Sequence, residues 1–231
     1  MMRKMASTLN YFFLRFRAMA LLAFGRNRAA LADFDRVLES RPGDVHALAS
    51  RAHLCAQLGF FDAATESLQR LVDIKPKNAV VWFNLAYVLQ HAGHHTNAQY
   101  AFRCALSLDE RMDRAWYGLG LSLMHEHKLN DAIAALKKTT ALQPMSPHGW
   151  FRLAEAWLAL GKPEQAHKVV RHLQQFEPKV AAQLAHRFLA VLPGAVTESA
   201  GLELDTPGLD KVERLRGDLP EVEPVLTHAA H

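Results

Sequence analysis

A 34-residue period constrains this chain more than any other feature of its sequence. Pro42, Pro76, Pro144 and Pro178 lie on one grid of that spacing, with Glu110 at the remaining point. Ala30, Ala64, Ala98, Ala132 and Ala166 fall on the same grid, as do Gly25, Gly59, Gly93 and Gly161, where His127 is the exception. Another column carries Leu14, Leu48, Trp82, Trp116 and Trp150. Chance does not put four columns in register, so the chain is built from stacked copies of one supersecondary unit, none of which buries its apolar face alone.

The local structure of each unit follows from its pattern. Counting from Tyr11 as the first place, places four, seven, eight and eleven share one helical stripe, as in Trp82, Leu85, Ala86 and Leu89 or Trp116, Leu119, Gly120 and Leu123. This is helix A. The glycine that follows suits a left-handed helix end, and places twenty, twenty-four and twenty-seven (Ala98, Phe102 and Ala105 in the third copy) give the stripe of helix B. Asp62, Thr96 and Asn130 are expected to cap helix B, and Asp44, Asn78 and Ser146 to cap helix A, with Pro147 at a first helical position.

These residues resemble the tetratricopeptide repeat family, whose signature runs W-x2-L-G-x2-Y, A-x3-F, P. Trp116-x2-Leu119-Gly120, Ala30-x3-Phe34, Ala98-x3-Phe102 and the four prolines match it, while Leu89, Leu123 and Trp157 stand for its tyrosine and Leu68, Leu136 and Val170 for its phenylalanine. Arg17 and Arg51 depart from it at place seven, which suits a terminal repeat better at Arg17 than at Arg51. The resemblance implies an all-α, right-handed α-solenoid of five repeats (11–44, 45–78, 79–112, 113–146 and 147–178). A basic extension (1–10) precedes them, and a capping helix (179–192) and an acidic, mostly disordered tail (193–231) follow, the tail with a short helix near 208–216.

In that family helix A lines the concave face, with places two, five, six, nine and twelve directed into it. The resemblance therefore assigns a peptide-binding groove to Arg15, His53, Phe83, Asn84, Tyr87, Gln90, Arg114, Tyr117, His148, Phe151 and Arg152. Amides there can bond a peptide backbone, aromatics can pack its side chains, and arginines can meet carboxylates. The family's two-carboxylate clamp is incomplete: Asn84 fits and Arg114 is a basic substitute, but Ala49, His53 and Gly118 do not fit, so chaperone C-terminal tails are not the expected ligand.

Chemistry has little foothold in the sequence. Gly118-x-Gly120 lacks the third glycine of a dinucleotide loop and sits inside a helix, and no phosphate-loop or His-Glu-x2-His motif occurs. The turn histidines His91, His94, His95, His125 and His127 are read as solvated rather than metal-binding, and Cys55 and Cys104 match no zinc spacing. The expectation is a non-catalytic scaffold that binds a protein or peptide, without cofactor or metal.

Charge divides the chain. Residues 1–192 hold 24 bases and 15 acids, a net of +9, whereas residues 193–231 carry −5. An acidic partner fits the groove, and the acidic tail is expected to compete for it as an internal ligand. Nucleic acid is disfavoured, because base-reading repeats need regular side-chain ladders and these columns vary. Before Asp33 there are six bases and no acid, interleaved with Phe12, Phe13 and Phe16. Adsorption of this segment to an anionic membrane is the second reading, ranked below a terminal repeat that uses the same apolar residues in its own packing. Arg15 and Arg17 interrupt any signal-peptide core and no apolar run reaches about 18 residues, so the expected location is cytoplasmic, or peripheral on the inner face of a membrane.

Overall fold

The computed structural model describes residues 2–191, and every regular element among them is a helix. In chain order these are α1 (Met2–Ala23), α2 (Asn27–Ser40), α3 (Val45–Gln57), α4 (Phe61–Ile74), α5 (Ala79–His91), α6 (His95–Leu108), α7 (Asp113–His125), α8 (Leu129–Leu142), α9 (Pro147–Ala159), α10 (Pro163–Gln174) and α11 (Pro178–Val191). This is the all-α repeat architecture that the 34-residue period demands. The described residues divide into two compact units, with the boundary inside α7 after Ser122.

In the first unit α1 pairs with α2, α3 with α4 and α5 with α6, and the hairpins stack through α2 on α3 and α4 on α5. The alanine column explains the close approach, since Ala30, Ala64 and Ala98 have no exposed surface. Phe34, Phe102, Leu68 and Leu71 fill the space beside them. Gly118 receives the ring of Phe102 directly, so α7 meets α6 where a helix has no side chain. In the second unit α9 packs on α8 and α10, and Ala132 and Ala166 repeat the buried alanine position. The expected capping helix is α11, which packs on α10 and α9 and buries Ala181 and Leu184.

The turns between helix A and helix B are tighter than the sequence implies. Gly25, Gly59, Gly93 and Gly161 have φ of 68°, 78°, 82° and 73°, and His127 adopts 56° in the same place. The next residue donates its N–H back across the turn, Phe60 to the Cys55 carbonyl at 2.8 Å and His94 to Leu89 at 2.9 Å. That same residue is the N-cap of helix B. The expected caps Asp62, Thr96 and Asn130 therefore stand inside the first turn, because α4, α6 and α8 start two residues earlier than those caps imply, behind Phe60, His94 and Lys128, none of which caps with its side chain.

Ahead of helix A the loop is longer and side chains do cap. Asp44 accepts from the Ala47 N–H at 2.8 Å, and Asn78 accepts from Val80 and Val81 at 3.0 and 3.2 Å. Ser146 makes no such bond, and Pro147 takes the first position. The tryptophan column holds these loops: Trp82, Trp116 and Trp150 each donate Nε1–H to the carbonyl six residues back, of Pro76, Glu110 and Pro144, at 2.8, 2.9 and 2.8 Å.

Two expectations about the ends change. Residues 2–10, read as an extension, are the beginning of α1. The acidic tail 193–231, with its helix near 208–216, lies outside the described residues.

Candidate functional site

The helix-A face of the first unit is carried by α3, α5 and the part of α7 that belongs to it. Tyr87 and Gln90 of α5 and Tyr117 of α7 are half-buried, and Arg114 is exposed. Gln90 donates its amide to the Gly118 carbonyl at 3.0 Å and to Ser122 Oγ at 2.9 Å, which ties α5 to α7 across this face. The Tyr87 ring lies 4.1 Å from that of His91, whose Nδ1 is 2.9 Å from the Tyr87 carbonyl oxygen. His53 on α3 is half-buried. In the second unit α9 presents half-buried His148 and Arg152.

Three of the groove assignments do not survive the packing. Phe83 is only 2% exposed and Asn84 1%, and Phe151 is 5% exposed. Phe83 turns inward, its ring 6.1 Å from that of Phe102. The reason is composition: α5 is apolar on nearly every side (Val81, Phe83, Leu85, Ala86, Val88 and Leu89 are all buried), so a residue off the main stripe is still covered by neighbouring helices.

Two arginines assigned to the groove already meet carboxylates of the chain itself. Arg152 Nη1 lies 2.8 Å from Glu155 Oε2. Arg15 Nη1 lies 3.7 Å from Asp44 Oδ2 and donates to the Tyr11 hydroxyl at 3.0 Å, while that hydroxyl donates to Asp44. Burial pushes the Asp44 carboxyl up, but the bonds from Tyr11 and the Ala47 N–H, with the charge of Arg15, outweigh it and hold the pKa below the usual carboxylate range. His46 is pushed down, first by burial and then by Arg15.

The place-seven arginines are structural for a reason the sequence does not reveal. Arg17 Nε donates to Asp33 Oδ2 at 2.6 Å, with a second bond from Nη2 to Oδ1, and Asp33 is 1% exposed. Arg51 reaches the equivalent place on its own helix B, donating to Ser67 Oγ at 2.6 Å and the Ala63 carbonyl at 2.9 Å, and its Nε reaches back to Asp35 at 2.7 Å. Helix A of each hairpin is thus pinned to helix B through a guanidinium in place of a leucine.

Other features were not visible beforehand. A pocket of about 580 Å³ in the second unit is walled by Trp150 and Trp157 and edged by Lys137, Lys168 and His172. The outer side of α1 leaves a row of large apolar side chains in water, with Phe16 76% exposed. Among the described residues, no three His, Cys, Asp or Glu side chains converge as metal ligands, and no helix is long and apolar enough to cross a membrane. The Cys55 thiol is buried and pushed up by that burial.

Two family models, each described as Tetratricopeptide repeat, match residues 17–79 and residues 123–192. A crystal structure of MamA protein is similar with a TM-score of 0.70 and 21% identity, covering 75% of this chain and 94% of that one. MamA 41-end from Desulfovibrio magneticus RS-1 gives 0.68 and 18%, covering 73% and 96%. YrrB, described as a TPR protein with an unusual peptide-binding site, gives 0.66 and 17%, covering 75% and 90%. At these identities the likeness is one of fold. No curated protein matches the chain.

Proposed function

Since the chain belongs to the tetratricopeptide repeat family, we propose that it is a non-catalytic interaction scaffold that holds a peptide or helical segment of a partner protein against its helix-A face. One observation carries the reading. Tyr87, Arg114 and Tyr117 project from successive A helices of the first unit, on a face whose spacing is fixed by the Gln90 bridge to Gly118 and Ser122. Tyrosine supplies a large contact area at small entropic cost, and arginine at the rim selects for acid, the combination that dominates peptide and protein recognition.

The reading differs from the sequence-based one in its residues. Phe83, Asn84 and Phe151 act from the core, Arg15 and Arg152 are satisfied internally, and the contact set contracts to His53, Tyr87, Gln90, Arg114 and Tyr117 of the first unit. The structural neighbour YrrB, described as having an unusual peptide-binding site, supports the general mode. The acidic tail remains an internal competitor in this reading, through its net charge of −5.

The test is affinity capture with the full chain beside a Tyr87→Ala/Arg114→Glu/Tyr117→Ala variant whose fold is verified by circular dichroism. A partner held by the wild type and lost by the variant supports the assignment, and one retained equally by both refutes it.

A further inference from the structure

Helix α1 is apolar on two opposite sides, and only one of them has a protein partner. Tyr11, Leu14 and Ala18 are 4%, 7% and 0% exposed and belong to the interface with α2. On the other side Leu9, Phe12, Phe13, Phe16 and Met19 are 74%, 58%, 57%, 76% and 42% exposed. Their spacing puts them in one arc of about 120° at about 100° per residue. At a rise of about 1.5 Å per residue the row is about 15 Å long. This is not the scatter of single apolar residues normal on a protein surface but a contiguous stripe. It also removes the ground for ranking the membrane second, because the terminal repeat does not use Phe12, Phe13 and Phe16 in its core.

We propose that this outer face of α1 is a docking surface for an anionic lipid bilayer, on which the helix lies in the interfacial plane. The inference is independent of the groove. Charge argues for this occupant. Residues 1–32 contain six bases and no acid, with Arg3 and Lys4 at one end of α1 and Arg26 and Arg28 just past the other. Arg26 and Arg28 are exposed and have no ion-pair partner among the described residues, and Phe24, 83% exposed, precedes them. Arg15 and Arg17 flank the stripe, with their charge directed to Asp44 and Asp33 on its protein side. A row of aromatics with cations at both ends is the chemistry of interfacial adsorption, in which apolar burial and attraction to anionic headgroups add.

The competing occupants fit less well. A second copy placed stripe to stripe would set one acid-free segment against another, at a cost in like-charge repulsion. A partner helix normally enters a groove, whereas the stripe is a single helix face. A flat interface accepts such a ridge, and α1 lies on it without crossing, being too charged to span.

The test is co-sedimentation of the full chain with vesicles of phosphatidylcholine containing about one-third phosphatidylserine, and with phosphatidylcholine alone. Binding to the anionic vesicles, weakened by 0.5 M salt, is expected. Phe12→Ser/Phe16→Ser should reduce partitioning at least about tenfold, and Arg26→Glu/Arg28→Glu at least about thirtyfold. All four side chains are exposed, so circular dichroism should show both variants folded. No binding by the wild type, or undiminished binding by the folded Phe12→Ser/Phe16→Ser variant, overturns the proposal. So does a concentration-dependent dimer by light scattering that the same variant abolishes, which would give the stripe to a second copy.

Discussion

Replacing Gly118 by alanine sets two effects against each other whose relative size the structure decides. In an ordinary helix interior, glycine to alanine gains about 1 kcal/mol, because alanine restricts the unfolded chain and favours the helix. At Gly118 a Cβ would stand 2.3, 2.7 and 2.9 Å from three ring atoms of Phe102. Carbon contacts are optimal near about 3.5–4.0 Å, so the ring must retreat by more than about 1 Å. Phe102 has little room, being 1% exposed with the ring of Phe83 on another side. Overpacking of this kind costs about 1–3 kcal/mol or more. A 2.3 Å approach to a buried ring belongs at the upper end of that range, about 2–3 kcal/mol, so with the propensity gain subtracted Gly118→Ala should lose about 1–2 kcal/mol, which for a chain of this size lowers Tm by roughly 2–8 °C. Thermal denaturation followed at 222 nm is the assay. Gly43→Ala is the control, since nothing lies within 4 Å of its Cβ position, and it should be neutral or slightly stabilising. Phe102→Leu combined with Gly118→Ala should be less destabilised than the sum of the single changes. If Gly118→Ala melts at or above the wild type, the close seating of α7 on α6 is wrong.

Three further expectations concern the turns, the first hairpin and the tail. His127→Gly should stabilise by about 1 kcal/mol, because a non-glycine residue at φ 56° carries a left-handed penalty, and Gly59→Ala at φ 78° should cost a similar amount; equal melting temperatures for all three proteins would contradict this. Asp44 and His46 both have folded pKa values below their ordinary ones, so each contributes stability that is complete above its unfolded value and lost as pH falls. His46→Gln should flatten the fall in Tm that begins below about pH 6.5, and Asp44→Asn the part below about pH 4; profiles parallel to the wild type would refute the assignment. Deleting residues 195–231 should raise affinity for an acidic peptide at low salt, and unchanged affinity would remove the tail as a competitor.

The fold was legible because its determinants are local and periodic. Ala30, Ala64 and Ala98 announce a close helix approach, and Gly25, Gly59, Gly93 and Gly161 announce left-handed ends, whatever the rest of the chain does. The site was less legible, because a groove residue is defined by what does not cover it. Phe83 and Asn84 lie off the helical stripe, a position that points to the surface, yet neighbouring helices cover them. Arg17 gave the opposite difficulty: its partner Asp33 is sixteen residues away, a distance that becomes a contact only once the hairpin closes. The outer stripe of α1 was hidden for a related reason. Phe12, Phe13 and Leu14 are adjacent in sequence, and only the packing of Leu14 against α2 reveals that the two phenylalanines face away.

Recognition by the helix-A face can be read by photo-crosslinking. Benzoylphenylalanine in place of Tyr117, on α7, is compared with the same group in place of Tyr100, which is 65% exposed on α6. A defined crosslinked partner is expected from position 117, abolished by Arg114→Glu, with none from position 100. Equal crosslinking from both positions, or from position 100 alone, would contradict recognition by the helix-A face.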